Sequence, residues 1–431
     1  MRTFIRPSAW GILVLALLLP WVGGCDQGNL TPPKISSDIF RSYVAIGNSI
    51  TAGFQSGGIN DSTQKESYAV LLADRMGTSF NLPLLASPGC PPPLAQAFPP
   101  QSIAPNVDCA LRSSPPPSTI NNVAVPEAAV IDVLSNFSVS GQDTPSPDTL
   151  TSANELTSFI LGGRTQLQAA RDVNPTFASV WIGNNDVLGA ALVGEPARAT
   201  SVDSFRARFG RVVNELEDIE SLQGAAFVGI ADITLIPHFS SGAAYRSAKQ
   251  SGVLPPNFTL DACAPSNSGS TLVPFRHGAV LLQVAQAVSE FGATITLDCS
   301  QDRTVEETIR ASLSEPIADR ALSQVPDAVK VISLLPEAET TVLEERVADF
   351  NDVIRNKVAD EYAYLNPNPL FQNNSDRIPA FPNLSGDAPF GPLFSLDGIH
   401  PNATTHKLVA DAIGDEIEAT YDVMLPTGSS E

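Results

Sequence analysis

Short apolar runs rich in β-branched and aromatic residues alternate along this chain with longer stretches whose apolar residues recur at helical spacing. That alternation leaves few folds open. Tyr43–Ile46, Phe177–Ile182, Ala225–Ile230 and Tyr362–Leu365 have the length and composition of buried strands. Between them, Glu66–Met76 carries Ala69, Leu72 and Met76 and ends at Gly77, a helix closed by a C-terminal glycine. Phe205, Phe209, Val212, Val213, Leu216, Ile219 and Leu222 share one helical face. Val347, Phe350, Ile354 and Val358 make another, and Thr404–Glu418 carries Leu408, Val409, Ala412, Ile413 and Ile417 as a closing helix. Strands that alternate with helices imply a parallel sheet covered on both faces. Ligands of such sheets bind outside the carboxyl ends of the strands.

Composition agrees with a folded α/β protein. At 431 residues and 43% apolar content the chain can bury one large domain with insertions, or a domain plus a cap. A net charge of −21 argues against nucleic acid or an anionic membrane surface as partner. Prolines gather in connections, at Pro91–Pro93, Pro115–Pro117, Pro145–Pro147 and Asn366–Pro369, which mark long ordered loops. No repeat period is visible.

The amino-terminal end carries targeting information. Arg2 and Arg6 precede an apolar run from Trp10 to Val22, followed by Gly23-Gly24-Cys25, the pattern of a secretory signal. The run is shorter than the ~20 residues that span a bilayer as a helix. Val22-Gly-Gly-Cys25 resembles a bacterial lipobox, which implies cleavage before Cys25, lipidation of its sulfur and an exported protein anchored to the cell envelope. The alternative is an ordinary signal peptide with an incidental cysteine. Residues 1–24 are then a signal, 25–40 a tether, 41–425 the folded domain and 426–431 a tail. Setting Cys25 aside leaves Cys90, Cys109, Cys263 and Cys299, an even number in an exported chain. Three pairings are open; proximity favours Cys90 with Cys109 and Cys263 with Cys299. No Cys-x-x-Cys spacing points to zinc, and no cofactor is expected.

Two segments at opposite ends of the domain carry chemistry. Gly47-Asn48-Ser49-Ile50 follows the first strand, and Asp397-Gly398-Ile399-His400 precedes the closing helix. A serine hydroxyl is a poor nucleophile until an adjacent base takes its proton, and that base must itself be oriented. Between them lies Gly183-Asn184-Asn185-Asp186. These three segments, in this order, resemble the first, third and fifth blocks of the SGNH hydrolases, the GDSL lipase/esterase family. Asn48 stands where the family has aspartate.

The resemblance implies a flavodoxin-like three-layer α/β/α fold and a serine esterase or lipase. Ser49 would be the nucleophile, His400 the base and Asp397 the residue that orients it, a task that a backbone carbonyl also performs in some sites. Ser49 and Asn185 would help bind the oxyanion. The family's second block offers a glycine N–H to the same oxyanion, and the best match, Asn122-Val-Ala-Val-Pro-Glu127, places Glu127 there. Gly89, in Ala86-Ser-Pro-Gly89, is the competing donor. Relative to a minimal member, residues 90–160 and 237–335 are insertions, the second with a helical segment near Thr304–Leu322, forming a cap beside the site. The absence of Gly-x-Ser-x-Gly sets the chain apart from the α/β-hydrolase pattern.

Each segment also has a plain structural reading. A Gly-Asn-Ser turn after a strand is common, Asp-Gly is a turn signal, and Asn185-Asp186 suits a helix start. His238, His277 and His406 match no motif and read as surface or packing histidines. Three function classes follow: a carboxylic ester hydrolase on small acyl esters or lipids, a carbohydrate O-deacetylase, and a surface lipoprotein that binds without catalysis.

Overall fold

The computed structural model describes residues 35–107, 109, 112–113, 115, 117–135 and 159–426. The signal, most of the tether including Cys25, and tail residues 427–431 lie outside the described residues.

The protein is an α/β structure with a central parallel sheet. Four strands, β1 (Tyr43–Gly47), β2 (Phe177–Trp181), β3 (Gly224–Val228) and β4 (Ala363–Leu365), pair side by side in that order. All three pairings are parallel. The first three strands are buried on both faces, which is why their sequences are almost wholly apolar rather than alternating, while Tyr364 of β4 is half-buried.

The strand at the outer side of β1 is one that the sequence hides. Residues 121–125 run parallel to β1: Ala45 N–H donates to Asn121 O (2.9 Å), and Val123 N–H donates to Ala45 O (2.9 Å). Counted in chain order with this segment, the sheet runs 2-1-3-4-5, the flavodoxin-like order. So 90–160 is not wholly an insertion. Ile120, Val123, Val125, Val130 and Val133 belong to the main core, and among the described residues the added material is the Leu94–Gln96/Gln101–Ser102 hairpin and the loop closed by the Cys90–Cys109 disulfide.

Side-chain alternation along the strands sorts two cores. Val44, Ile46, Val180 and Phe227 face one side, covered by α4 (Val202–Glu217) and α6 (Glu337–Val358). Phe205 of α4 and Phe350 of α6 stack there with ring centroids 3.9 Å apart. Tyr43, Ala45, Trp181 and Val228 face the other side, under α2 (Tyr68–Met76) and α7 (Ala403–Tyr421). Helix α2 begins at Tyr68 after its Ser67 cap, two residues later than the apolar pattern predicts, and stops at Gly77 in the left-handed conformation.

Residues 237–335 form a layer with its own apolar core. Two short strand pairs, Phe239–Ser241 with Leu272–Pro274 and Phe258–Asp261 with Ile295–Asp298, flank α5 (Phe275–Val288). The predicted Thr304–Leu322 helix is two helices, Val305–Ser312 and Glu315–Leu322, because Pro316 suits a first turn and not a helix interior. The Cys263–Cys299 disulfide closes this layer internally, so both local pairings form. Among the described residues no helix is long and apolar enough to cross a membrane.

Candidate active site

The reversal of strand order lies between β1 and β2, where open α/β sheets leave a crevice at their carboxyl edge. Ser49 and Asn185 stand on the two sides of it. After β1, Asn48 caps the single-turn helix α1 (Ser49–Ala52): its Oδ1 accepts the Ile50 N–H at 3.0 Å. Asn48 Nδ2 also donates to Asn184 Oδ1 at 3.2 Å, tying the first segment to the third. Gly47 has no room for a side chain, since a Cβ there would lie 2.8 Å from the Trp181 carbonyl oxygen and closer still to Thr51. Asn122 Nδ2 donates to Thr51 O at 2.7 Å and holds α1 from the sheet edge.

Asn185 begins α3 (Asn185–Val193), after Asn184 as cap residue and Gly183 at φ +116°. Its Nδ2 donates one hydrogen to Ala128 O at 2.9 Å, which fixes the amide and leaves its second N–H free for a ligand. Asp186 faces away from the crevice, accepting the Val130 N–H at 2.9 Å, and burial pushes its carboxyl up to about 6.

The Asp397–His400 turn folds over this edge. His400 Nε2 lies 3.0 Å from Ser49 Oγ, and His400 Nδ1 lies 2.8 Å from Asp397 Oδ2. The alternative backbone acceptor for Nδ1 is therefore not used. Asp397 accepts four further hydrogen bonds: from Ile399 N–H (2.8 Å), His400 N–H (2.9 Å) and Ser395 Oγ (3.1 Å) on Oδ1, and from Gly57 N–H (2.7 Å) on Oδ2. Burial alone would raise this carboxyl, but the His400 charge and these hydrogen bonds outweigh it and hold it well below the usual carboxylate range. Asp397 is thus an ionised acceptor for the imidazole N–H. The Phe54 ring packs on the imidazole at 4.8 Å between centroids.

Two cavities open at the Ser49–His400 pair. One, of about 40 Å³, is walled mainly by apolar side chains, among them Val187, Ile233, Ile236, Phe371 and Phe394. The other, of about 510 Å³, is bordered by Glu127, Asn185, His238, Arg276, Asp397 and, from the 237–335 layer, Ile332. Glu127 takes φ +63°, the left-handed conformation that glycine adopts without strain, so the residue replacing the expected glycine keeps its backbone form. Gly89 does not border either cavity at Ser49, and a Cβ there would run into the Ile59 carbonyl oxygen. Neither the Ser49 nor the Glu127 N–H donates to a described residue, and a first-turn N–H such as that of Ser49 has no acceptor within its helix.

None of the three remaining histidines is on the surface. His238, His277 and His406 are buried, and burial lowers them to about 4, 4 and 3. His277 Nδ1 bonds Ile332 O (2.9 Å) inside the 237–335 layer, and His406 Nδ1 accepts the Tyr68 N–H (3.2 Å). His238 differs. Its Nδ1 bonds the Asp397 carbonyl oxygen at 3.0 Å, and its backbone N–H donates to Gly398 O at 2.9 Å. Sequence reasoning passed over His238, Gly57 and Arg276, which share no spacing with the segments they meet, and Ser395, which stands two residues before Asp397.

No protein-family model and no curated protein matches this chain. Among solved structures it is similar to LAE5, an alpha/beta hydrolase enzyme from the metagenome of Lake Arreo, Spain, at 12% identity, covering 89% of this chain and 99% of that one with a TM-score of 0.36. It is also similar to a variant of Axe2, an acetyl xylan esterase from Geobacillus stearothermophilus, at 11% identity, covering 89% and 96% with a TM-score of 0.31. The chemistry of the site therefore rests on its own geometry.

Proposed function

We propose that this protein is a serine hydrolase of carboxylic esters, a divergent SGNH-type enzyme working through an acyl-enzyme at Ser49. The observation that carries the reading is the unbroken chain from Ser49 Oγ through both nitrogens of His400 to Asp397 Oδ2, at 3.0 and 2.8 Å. Ser49 Oγ attacks the ester carbonyl carbon while His400 Nε2 takes its proton. The carbonyl oxygen becomes an oxyanion facing the free N–H groups of Ser49 and Glu127 and the second amide hydrogen of Asn185. When the tetrahedral intermediate collapses, the C–O bond to the alcohol breaks and His400 returns the proton to that oxygen. A water molecule then repeats the sequence on the acyl-serine, releasing the acid and restoring Ser49. Asp397 stays ionised and stabilises the imidazolium in both halves.

The five hydrogen bonds converging on Asp397 favour an active enzyme over a binding-only protein. A surface that merely binds has no use for an oriented imidazole against a serine. With the lipobox-like Val22–Cys25 the enzyme would work outside the cytoplasm, tethered through Cys25 to the cell envelope.

Labelling of the purified protein with a fluorophosphonate tests the reading. Wild type should be modified at Ser49 and should cleave p-nitrophenyl acetate, while Ser49→Ala should stay folded and do neither. Equal ester cleavage by the alanine variant would refute it.

A further inference from the structure

The larger cavity beside Ser49 holds a buried acceptor that the ester chemistry does not use. A carbonyl oxygen only accepts, so His238 Nδ1, 3.0 Å from Asp397 O, must carry the ring proton. A neutral ring protonated at Nδ1 has a bare lone pair on Nε2. That nitrogen has no partner among the described residues, although the residue is only 2% exposed. The ring borders the 510 Å³ cavity at Ser49 and an adjoining cavity of about 570 Å³. His277 also keeps a bare Nε2, but it borders neither of these cavities. Unlike His277 Nε2, which is sealed off, His238 Nε2 is open to the cavity, where an O–H or N–H of a ligand can donate to it.

Arg276, on the first turn of α5, borders the same two cavities. This exposed side chain forms no hydrogen bond or ion pair with a described residue, so its donors are free toward the cavity. One side of Ser49 thus offers a fixed acceptor and a free fork of donors in ample space. The other offers about 40 Å³ with mainly apolar walls, less than a tenth of the space on the polar side. The shapes divide the ester unequally.

We infer that the leaving alcohol is polyhydroxylated, a sugar or glycerol unit whose free hydroxyls are bound by His238 Nε2 and Arg276, and that the acyl group is short. This rests on the ester-hydrolase reading and names its substrate class. A hydroxyl next to the scissile ester donates to His238 Nε2, and a second hydroxyl accepts from Arg276. An alcohol without hydroxyls leaves both groups unpaired and is selected against.

The test compares kcat/KM for a monoacetylated methyl xyloside, glycerol monoacetate and cyclohexyl acetate, the last matching a sugar in ring size without its hydroxyls. Wild type should favour one or both hydroxylated esters over cyclohexyl acetate by tenfold or more. His238→Asn retains a donor toward the Asp397 carbonyl but loses the distal acceptor; Arg276→Met loses the donors. Each should shrink that preference about tenfold, the worth of a good hydrogen bond. Loss of preference for only the xyloside or only the glycerol ester identifies the source of the alcohol. If wild type shows no preference, or the ratio is unmoved in the variants, the inference is overturned. A fall shared equally by all three esters in His238→Asn also overturns it, because His238 would then act only through Asp397. Should His238→Asn fail to fold, the exposed Arg276→Met substitution decides alone. A wild type that cleaves no ester and takes no fluorophosphonate refutes the hydrolase reading instead, so the two failures are distinct.

Discussion

His238 Nδ1 bonds the main-chain carbonyl of Asp397, the residue whose carboxylate holds His400 Nδ1. Two histidines far apart in the chain thus grip one aspartate, one through its backbone and one through its side chain. The first comes from the 237–335 layer and the second from the turn before α7, so the layer beside the site also braces the turn that carries His400.

The Ser49–His400–Asp397 chain predicts unequal losses. Ser49→Ala and His400→Ala should each lower kcat by several orders of magnitude, and the double variant should lose little more, because the two act as a unit. Asp397→Asn should also cost orders of magnitude, since an amide at Oδ2 no longer fixes the imidazole tautomer and no described backbone carbonyl bonds Nδ1 in its place. Steady-state kinetics on p-nitrophenyl acetate measures all four. A double variant much worse than either single one would break the unit.

The oxyanion site predicts a contrast between Asn185 and Glu127. Asn185→Ala should lower kcat by about a hundredfold or more with a smaller change in KM, the cost of one oxyanion donor. Glu127→Gly keeps the N–H and suits φ +63°, so it should change kcat less than tenfold. A hundredfold loss in Glu127→Gly would assign the work to the carboxylate instead.

Acid should destabilise the fold above the pH at which ordinary carboxylates titrate. His238, His277 and His406 stay neutral in the folded state down to about 4, 4 and 3, whereas in the unfolded chain they take up protons below about 6.5. Unfolding therefore binds protons in that window, and stability falls as pH drops from about 6.5 toward 4. Asp186, raised to about 6, acts oppositely, favouring the fold at lower pH by holding a proton the unfolded chain has released. Asp74, Glu339, Glu344 and Glu416, which burial also raises but less, act with Asp186, and the three large histidine shifts still leave a net loss. Thermal melts should show Tm falling between about pH 7 and pH 5; a flat or rising Tm would contradict the burial of neutral histidines.

The contact between α4 and α6 predicts a stability effect remote from the site. Phe350 is fully buried and stacks on Phe205. Phe350→Ala should cost about 3–5 kcal/mol in denaturant unfolding. A loss under 1 kcal/mol would mean that the two helices close the gap.

The lipobox-like segment predicts that Cys25→Ser releases the protein from the membrane fraction and stops incorporation of labelled palmitate. Unchanged membrane retention would count against lipidation.

The four-strand alternation, the helical faces over them and the segments at Ser49, Asn185 and Asp397–His400 are legible in the chain because each is a local pattern. Burial on both faces of a parallel strand requires continuous apolar runs, and a helix against a sheet requires a stripe, so periodicity reveals both. Turn chemistry likewise places a serine or an asparagine just past a strand. Other elements carry no such mark. Residues 121–125 join the sheet through backbone hydrogen bonds to β1, and their sequence resembles a loop with asparagines because those side chains serve Tyr43 and Thr51 carbonyls. That Glu127 and not Gly89 borders a cavity at Ser49 is a matter of tertiary packing, since both have positive φ. His238 and Arg276 reach Ser49 only because a long excursion after β3 folds back over the sheet edge. Which nitrogen of His238 is bare, and which cavity it borders, are properties of contacts between distant segments. Such contacts leave no spacing in the sequence, since the chain between them constrains only how far apart they can be, and the packed tertiary structure decides which of them meet.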